Sequence, residues 1–231
     1  MPKLLAMETT ERIASLAAMS DGNLLQELKL DARQRSAQSL LPGVKKLLAE
    51  VGWRPHDIAL VAVSIGPGSF TGLRIGVTAA KVFAYAARAD VLGIDTLEAI
   101  AAGVPAEIGL LSTAVDAQRG DVAAGLFRRG PDGWFAPAGP QELLPAPEWL
   151  ARLSPGTAVA GPVLQKLAGL VPAGLVIVDA RCWAPTAAAV ARLADRDYAR
   201  GRRDDPWTLL PRYCRPSAAE EKFDARENPG P

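Results

Sequence analysis

The stretch Ser64-Ile65-Gly66-Pro67-Gly68-Ser69-Phe70-Thr71-Gly72-Leu73-Arg74-Ile75-Gly76 constrains this chain more tightly than any other. Residues 58–65 lead into it as a short apolar run rich in Val, Ile and Ala, which predicts a buried strand. Gly66, Pro67 and Gly68 then turn the chain sharply. Pro67 fixes its own φ, and the glycines take backbone angles that other residues avoid. Ser69 is placed to cap a helix, accepting from a backbone N–H two or three residues on. Helical spacing then runs to about Arg88.

That helix carries an unusual stripe. Gly72 and Gly76 sit four apart, and Ala80, Ala84 and Arg88 continue the line. Each glycine costs about 1 kcal/mol of helix propensity relative to Ala. Close approach of another backbone is the expected compensation. Leu73, Val77, Ala80, Ala84 and Ala87 repeat on the neighbouring face. Three readings follow: the glycines fit a strand-to-helix corner, they bare N–H groups to a phosphate, or they offer a smooth docking surface to a second helix. The turn lacks the Lys-Ser/Thr ending of a P-loop, and Thr71 falls where G-x-G-x-x-G would place its third glycine.

A chain of 231 residues with 49% hydrophobic and 22% charged residues has ample material for one large domain or two small lobes. A net charge of +1 supplies no global field for nucleic acid or a membrane. Arginines crowd toward the C-terminus between Arg192 and Arg215, partly offset by Asp195, Asp197, Asp204 and Asp205, as on a solvated face. Cys182 and Cys214 make neither a disulfide framework nor a metal knuckle. Residues 1–3 run straight into a strand-like segment, and no apolar run is long enough to span a bilayer. A cytoplasmic protein is expected.

In chain order, strands are expected over residues 3–8, 12–20 and 24–30, with a hairpin turn at Asp21-Gly22-Asn23. Ser36, Leu40, Val44, Leu47, Leu48 and Val51 fall at helical spacing, with Pro42 expected to bend that helix or restart it. A strand over 91–94 and a helix over 96–102 follow the glycine helix. Three antiparallel strands followed by alternating strands and helices are the ribonuclease-H-like pattern of actin-like ATPase domains. The pattern partly repeats: strands over 107–115, 121–127, 134–137, 142–144, 157–160 and 175–178, helices over 147–153, 163–170 and 186–198. The expected fold class is α/β, with two actin-like lobes of mixed sheet flanked by helices. The expected domains are residues 1–103, a degenerate second lobe over 104–216 whose last segment returns to the first, and a disordered tail over 217–231.

The single histidine, His56, sits in a loop with no nucleophile in view, so neither a Ser-His-Asp site nor a His-based metal site is indicated. In actin-like kinases an acidic residue ends the first strand, and a glycine turn then wraps the phosphates. Here Glu8 is followed by Thr9-Thr10-Glu11, with no glycine and with a carboxylate that repels phosphate. Asp116 ends the corresponding strand of the second half, again without a glycine-rich loop. Glu8, Thr9, Gly66, Gly68, Ser69 and Asp116 are therefore candidate remnants of a nucleotide cleft. Such erosion favours a scaffold over an ATPase.

Four segments in order resemble one family. They are residues 4–10, the 66–76 stretch, Val115-Asp116-Ala117-Gln118-Arg119-Gly120-Asp121-Val122 and Pro211-Arg212-Tyr213-Cys214-Arg215-Pro216. Together they are similar to the TsaB (YeaZ) family and cover nearly the whole chain up to Pro216. The resemblance implies a non-catalytic paralogue of TsaD that supports formation of threonylcarbamoyladenosine beside the tRNA anticodon. It implies no cofactor of its own, with ATP and a metal entering through TsaD and TsaE. It implies a heterodimer with TsaD, association with TsaE, contact with tRNA only through the complex, and a homodimer when alone. The docking helices would carry Ser36, Leu40, Val44 and Leu47 on one, and Phe70, Gly72, Leu73, Gly76 and Ala80 on the other. The alternatives are an actin-like ATPase or phosphotransferase, and a glycoprotease-like peptidase.

Overall fold

The computed structural model describes residues 2–31 and 36–215, without the side chains of Ser36 and Ala37. The expected tail at 217–231 lies outside the described residues. Strands β1 (Leu4–Glu8), β2 (Ser15–Ser20) and β3 (Asn23–Lys29) open the chain, followed by helix α1 (Ser36–Glu50). Then come β4 (Leu60–Gly66), α2 (Phe70–Ala87), β5 (Asp90–Asp95) and α3 (Thr96–Ala102). These five strands form one sheet in the order β3-β2-β1-β4-β5. The first three are antiparallel neighbours, while β4 and β5 run parallel to β1.

The second half repeats this plan. Its strands are β6 (Leu110–Asp116), β7 (Asp121–Arg129), β8 (Phe135–Pro137), β9 (Glu142–Pro145), β10 (Ala158–Ala160) and β11 (Val176–Ile177). The order β8-β7-β6-β10-β11 matches that of the first sheet, with antiparallel β6–β7–β8 and parallel β6–β10–β11; β9 adds to β7. Helices α4 (Ala146–Arg152), α5 (Leu164–Leu167) and α6 (Ala187–Ala199) complete it.

The period-2 alternation of the strands sorts the core into layers. In the first sheet Leu5, Met7, Leu16, Val61 and Val63 point to the face covered by α1 and α2. Leu4, Ala6, Leu60, Ala62, Leu92 and Ile94 point to the other face. That face is covered by Ala99 of α3 and by Ala187, Val190, Ala191, Leu193 and Ala194 of α6, so a helix from the end of the chain closes the first sheet. Helix α3 lies between the sheets and is buried on all but the side of Glu98, which pairs with Arg196. Its Ala99 meets the first, while Leu97, Ile100 and Ala101 join Leu111, Val115 and Phe127 of the second. Trp149 and Leu150 of α4 and Leu164 of α5 cover the outer face of the second sheet, and the Trp149 indole donates to Ser112 Oγ at 2.9 Å.

Pro42 lies inside α1, which runs through it as one helix, so the expected second start does not occur. Gly43 beside it lets the helix settle onto Leu30 and Leu16, since a Cβ there would lie 2.5 Å from Leu30 Cδ2. The helix expected over 163–170 is one short α-turn followed by a 3₁₀ turn, Ala168–Leu170.

Candidate functional site: the interlobe cleft and the helices beside it

The carboxyl ends of β1, β4, β5 and β6 carry Glu8, Gly66, Asp95 and Asp116. Ligands of open α/β sheets bind at such strand ends. The structure brings Glu8, Thr9, Gly66, Gly68 and Ser69 together here. Glu8 is fully buried. Its carboxyl accepts from the Thr10 N–H and the Thr10 hydroxyl at 2.5 Å each, and from the Ser64 hydroxyl. Burial raises its pKa, opposed by the hydrogen bonds from Ser64 and Thr10. Both carboxyl oxygens are thus engaged by the chain itself.

The turn after β1 is held as tightly. Thr9 donates its hydroxyl to Gly72 O at 2.8 Å, and the Ser69 N–H donates to Thr10 O at 3.1 Å. A Cβ on Gly72 would lie 1.9 Å from Thr9 O, and one on Gly76 would lie 2.2 Å from Thr9 Oγ1. A Cβ on Gly68 would lie 2.6 Å from Thr10 Cβ. These glycines serve the corner between strand and helix: they let α2 lie directly on the β1–β2 turn. Ser69 caps α2 as expected, accepting from the Gly72 N–H at 3.2 Å.

Asp116 stands apart from this group, at the end of β6. It accepts from Lys166 Nζ at 2.6 Å and from the Gln118 N–H at 2.7 Å. Burial pushes its pKa up, but those two hydrogen bonds outweigh it and hold the carboxyl below its usual range. Glu11 faces both acidic groups. Its pKa is pushed up to about 7 by burial first, with the carboxyls of Glu8 and Asp116 adding to the shift. An acid that keeps its proton longer when folded loses stability as pH rises through the window between the two pKa values. The contribution of Glu11 to stability should therefore fall from about pH 4.5 to about pH 7 and then level off. Glu11→Gln should flatten that dependence and raise the melting temperature at pH 8 more than at pH 5. An equal shift at both pH values would show that Glu11 titrates normally.

The docking residues divide by exposure. Leu40, Val44 and Leu47 of α1 and Gly72, Leu73, Gly76 and Ala80 of α2 are buried in the chain's own core. In the chain alone these positions are covered by its own core, so their side chains present no outward surface. The Ser36 side chain lies outside the described residues. Phe70 is half-buried, and its ring stacks on Tyr213 at 4.5 Å. The outward face of the two helices is carried by residues that periodicity did not single out. Leu41 is 61% exposed, Val82 63% and Tyr85 72%. Trp207, from the C-terminal segment, meets Tyr85 edge-on at 5.9 Å, and Leu210 is exposed on the same segment. The signal for these was an apolar residue on the wrong face of an amphipathic helix. His56 is exposed in the 3₁₀ turn Pro55–Asp57.

Two sheets of matched topology, facing across carboxyl strand ends and sharing a central helix, define a two-lobed actin-like fold of the ribonuclease-H-like class. Known proteins agree with this geometry. Residues 30–141 match the family described as TsaD, tRNA N6-adenosine threonylcarbamoyltransferase. The tRNA threonylcarbamoyladenosine biosynthesis protein TsaB of Escherichia coli is 29% identical over 231 residues, which span 97% of this chain and all of the relative. TsaB of Bacillus subtilis is 30% identical over 150 residues, 65% of each chain. The solved structure of YeaZ from Pseudomonas aeruginosa superposes with a TM-score of 0.80 at 29% identity, covering 92% of this chain and all of the other. The chain belongs to the TsaB (YeaZ) family.

Proposed function

We propose that this chain works in tRNA threonylcarbamoyladenosine biosynthesis as a non-catalytic partner of a TsaD-type protein. The observation that carries the non-catalytic part is the state of Glu8. Its carboxyl is buried and engaged by Ser64 and Thr10, and the turn after it is closed down on α2 by Thr9. A phosphate-binding turn needs bare N–H groups with room in front of them. The names of the relatives carry the pathway. The exposed apolar side chains Leu41 of α1 and Val82 and Tyr85 of α2 support docking through these helices.

In this reading TsaD docks on these helices and performs the threonylcarbamoyl transfer. ATP and metal enter through TsaD and TsaE, and tRNA is met only through the complex. A homodimer through the same helices forms when TsaD is absent, and the work takes place in the cytoplasm. Among the described residues no helix is long and apolar enough to cross a membrane.

The alternative, an actin-like ATPase or phosphotransferase, would use Glu8 and Asp116 to order a metal-bound phosphate. The two readings separate in an ATP turnover assay on the purified chain. The partner reading expects a rate that Glu8→Gln and Asp116→Asn leave unchanged, because no step depends on them. A turnover that either substitution abolishes would establish the enzyme reading instead.

A further inference from the structure

We propose that residues 204–215 form a clasp that sets the closure of the interlobe cleft. This inference is independent of the partner reading. The segment begins on the edge of the first sheet, where Asp204 bridges to Val91 and its carboxylate accepts from the Gly93 N–H at 2.8 Å. It then runs along α2. Leu209 is buried in the first-lobe core, and its carbonyl accepts from Lys81 Nζ at 3.1 Å. At the end of β4 the Arg212 N–H donates to Ile65 O at 2.6 Å. A Cβ on Gly66 would lie 2.2 Å from Arg212 O, so the clasp lies directly on the glycine turn.

The segment then crosses to the second lobe. Tyr213 stacks on Phe70, and its hydroxyl accepts from Arg74 Nε at 3.0 Å. Arg74 in turn lies over the Phe70 ring, 4.1 Å from its centroid. One residue later Cys214 packs on the core of the second sheet. Arg215 reaches Asp121 at the start of β7, beside the turn that follows Asp116. Beneath the crossing lies a cavity of about 220 Å³ lined by Pro67, Ala123, Leu143 and residues 212–214. One segment therefore holds the turns at both lips of the cleft.

The last contact is the switchable one. Arg215 and Asp121 are each about one-quarter exposed, and Arg215 Nε is buried without a hydrogen-bond partner. Asp121 is the group that offsets the burial of this guanidinium. Removing one member of such a pair leaves the other uncompensated.

The test is amide hydrogen exchange on the full chain, comparing wild type with Arg215→Ala, Asp121→Ala and the double variant. Loss of one charge-assisted hydrogen bond should speed exchange about tenfold in residues 66–71 and 117–121. Strands β1 and β2 should keep their wild-type rates. The double variant should exchange no faster than Asp121→Ala alone, because the two side chains act as a pair. Tyr213→Phe, which removes only the hydroxyl bonded to Arg74, should open residues 66–71 and leave 117–121 closed. Unchanged exchange at both turns, or an equal rise across the whole chain, would overturn the proposal.

Discussion

Gly72→Ala should lower the melting temperature by about 4–8 °C. The added methyl would lie 1.9 Å from Thr9 O, a main-chain atom that cannot swing aside. Forcing extra volume into a packed site costs about 1–3 kcal/mol, and a backbone obstacle puts this site at the upper end. Replacing glycine in a helix returns about 1 kcal/mol of propensity in a neutral site, which is too little to reverse the sign. The net loss of about 2 kcal/mol corresponds, in a chain of this length, to the stated shift. Gly76→Ala differs in kind. Its methyl would meet Thr9 Oγ1 at 2.2 Å, and that side chain can rotate once it gives up its bond to Gly72 O. The effect there should be smaller, and Thr9→Ala should rescue it. Thr9→Ala should not rescue Gly72→Ala, because the carbonyl remains. Thermal melts of these four variants decide the matter, and equal losses at both glycines would contradict this account of the corner. A bulky residue at either glycine is therefore a test of folding and says little about docking.

Tyr85→Glu and Val82→Glu should act in the opposite way. Both positions are more than 60% exposed, so stability should stay within about 0.5 kcal/mol of wild type. Binding to the TsaD-type partner should weaken by about 100-fold, because a charge placed at the centre of an apolar contact is desolvated without a partner. Leu41→Glu on α1 should behave alike. Titration calorimetry and a thermal melt on the same samples separate binding from folding. Wild-type affinity in all three variants would move the interface off this face.

The order of elements was legible because each one carries its own local pattern. Residues 4–8 and 60–66 are legible as short, continuous apolar runs buried on both faces, and Asp21-Gly22-Asn23 announces the first hairpin. The repeat of that order in the second half was visible for the same reason. The glycine stripe announced a close approach but not its object. Thr9, which fills that space, lies 63 residues from Gly72 in the chain, and no local pattern links them. The same limit applies to the docking helices. Periodicity groups Leu40, Val44 and Leu47 on one side of α1, but only tertiary packing shows that the side faces its own sheet. Leu41 and Tyr85 stand out only once the rest is buried. The path of residues 204–215 carried no period at all. Its course is set by single contacts to Val91, Ile65, Phe70 and Asp121.

The central claim is that this chain functions as a partner rather than as an enzyme. Sedimentation velocity of the purified chain mixed with the TsaD-type protein of the same organism tests it most directly. The account predicts a stable one-to-one species that replaces any self-association of this chain, and loses it when Tyr85→Glu is used in place of wild type. Two components that sediment independently at micromolar concentration would contradict it.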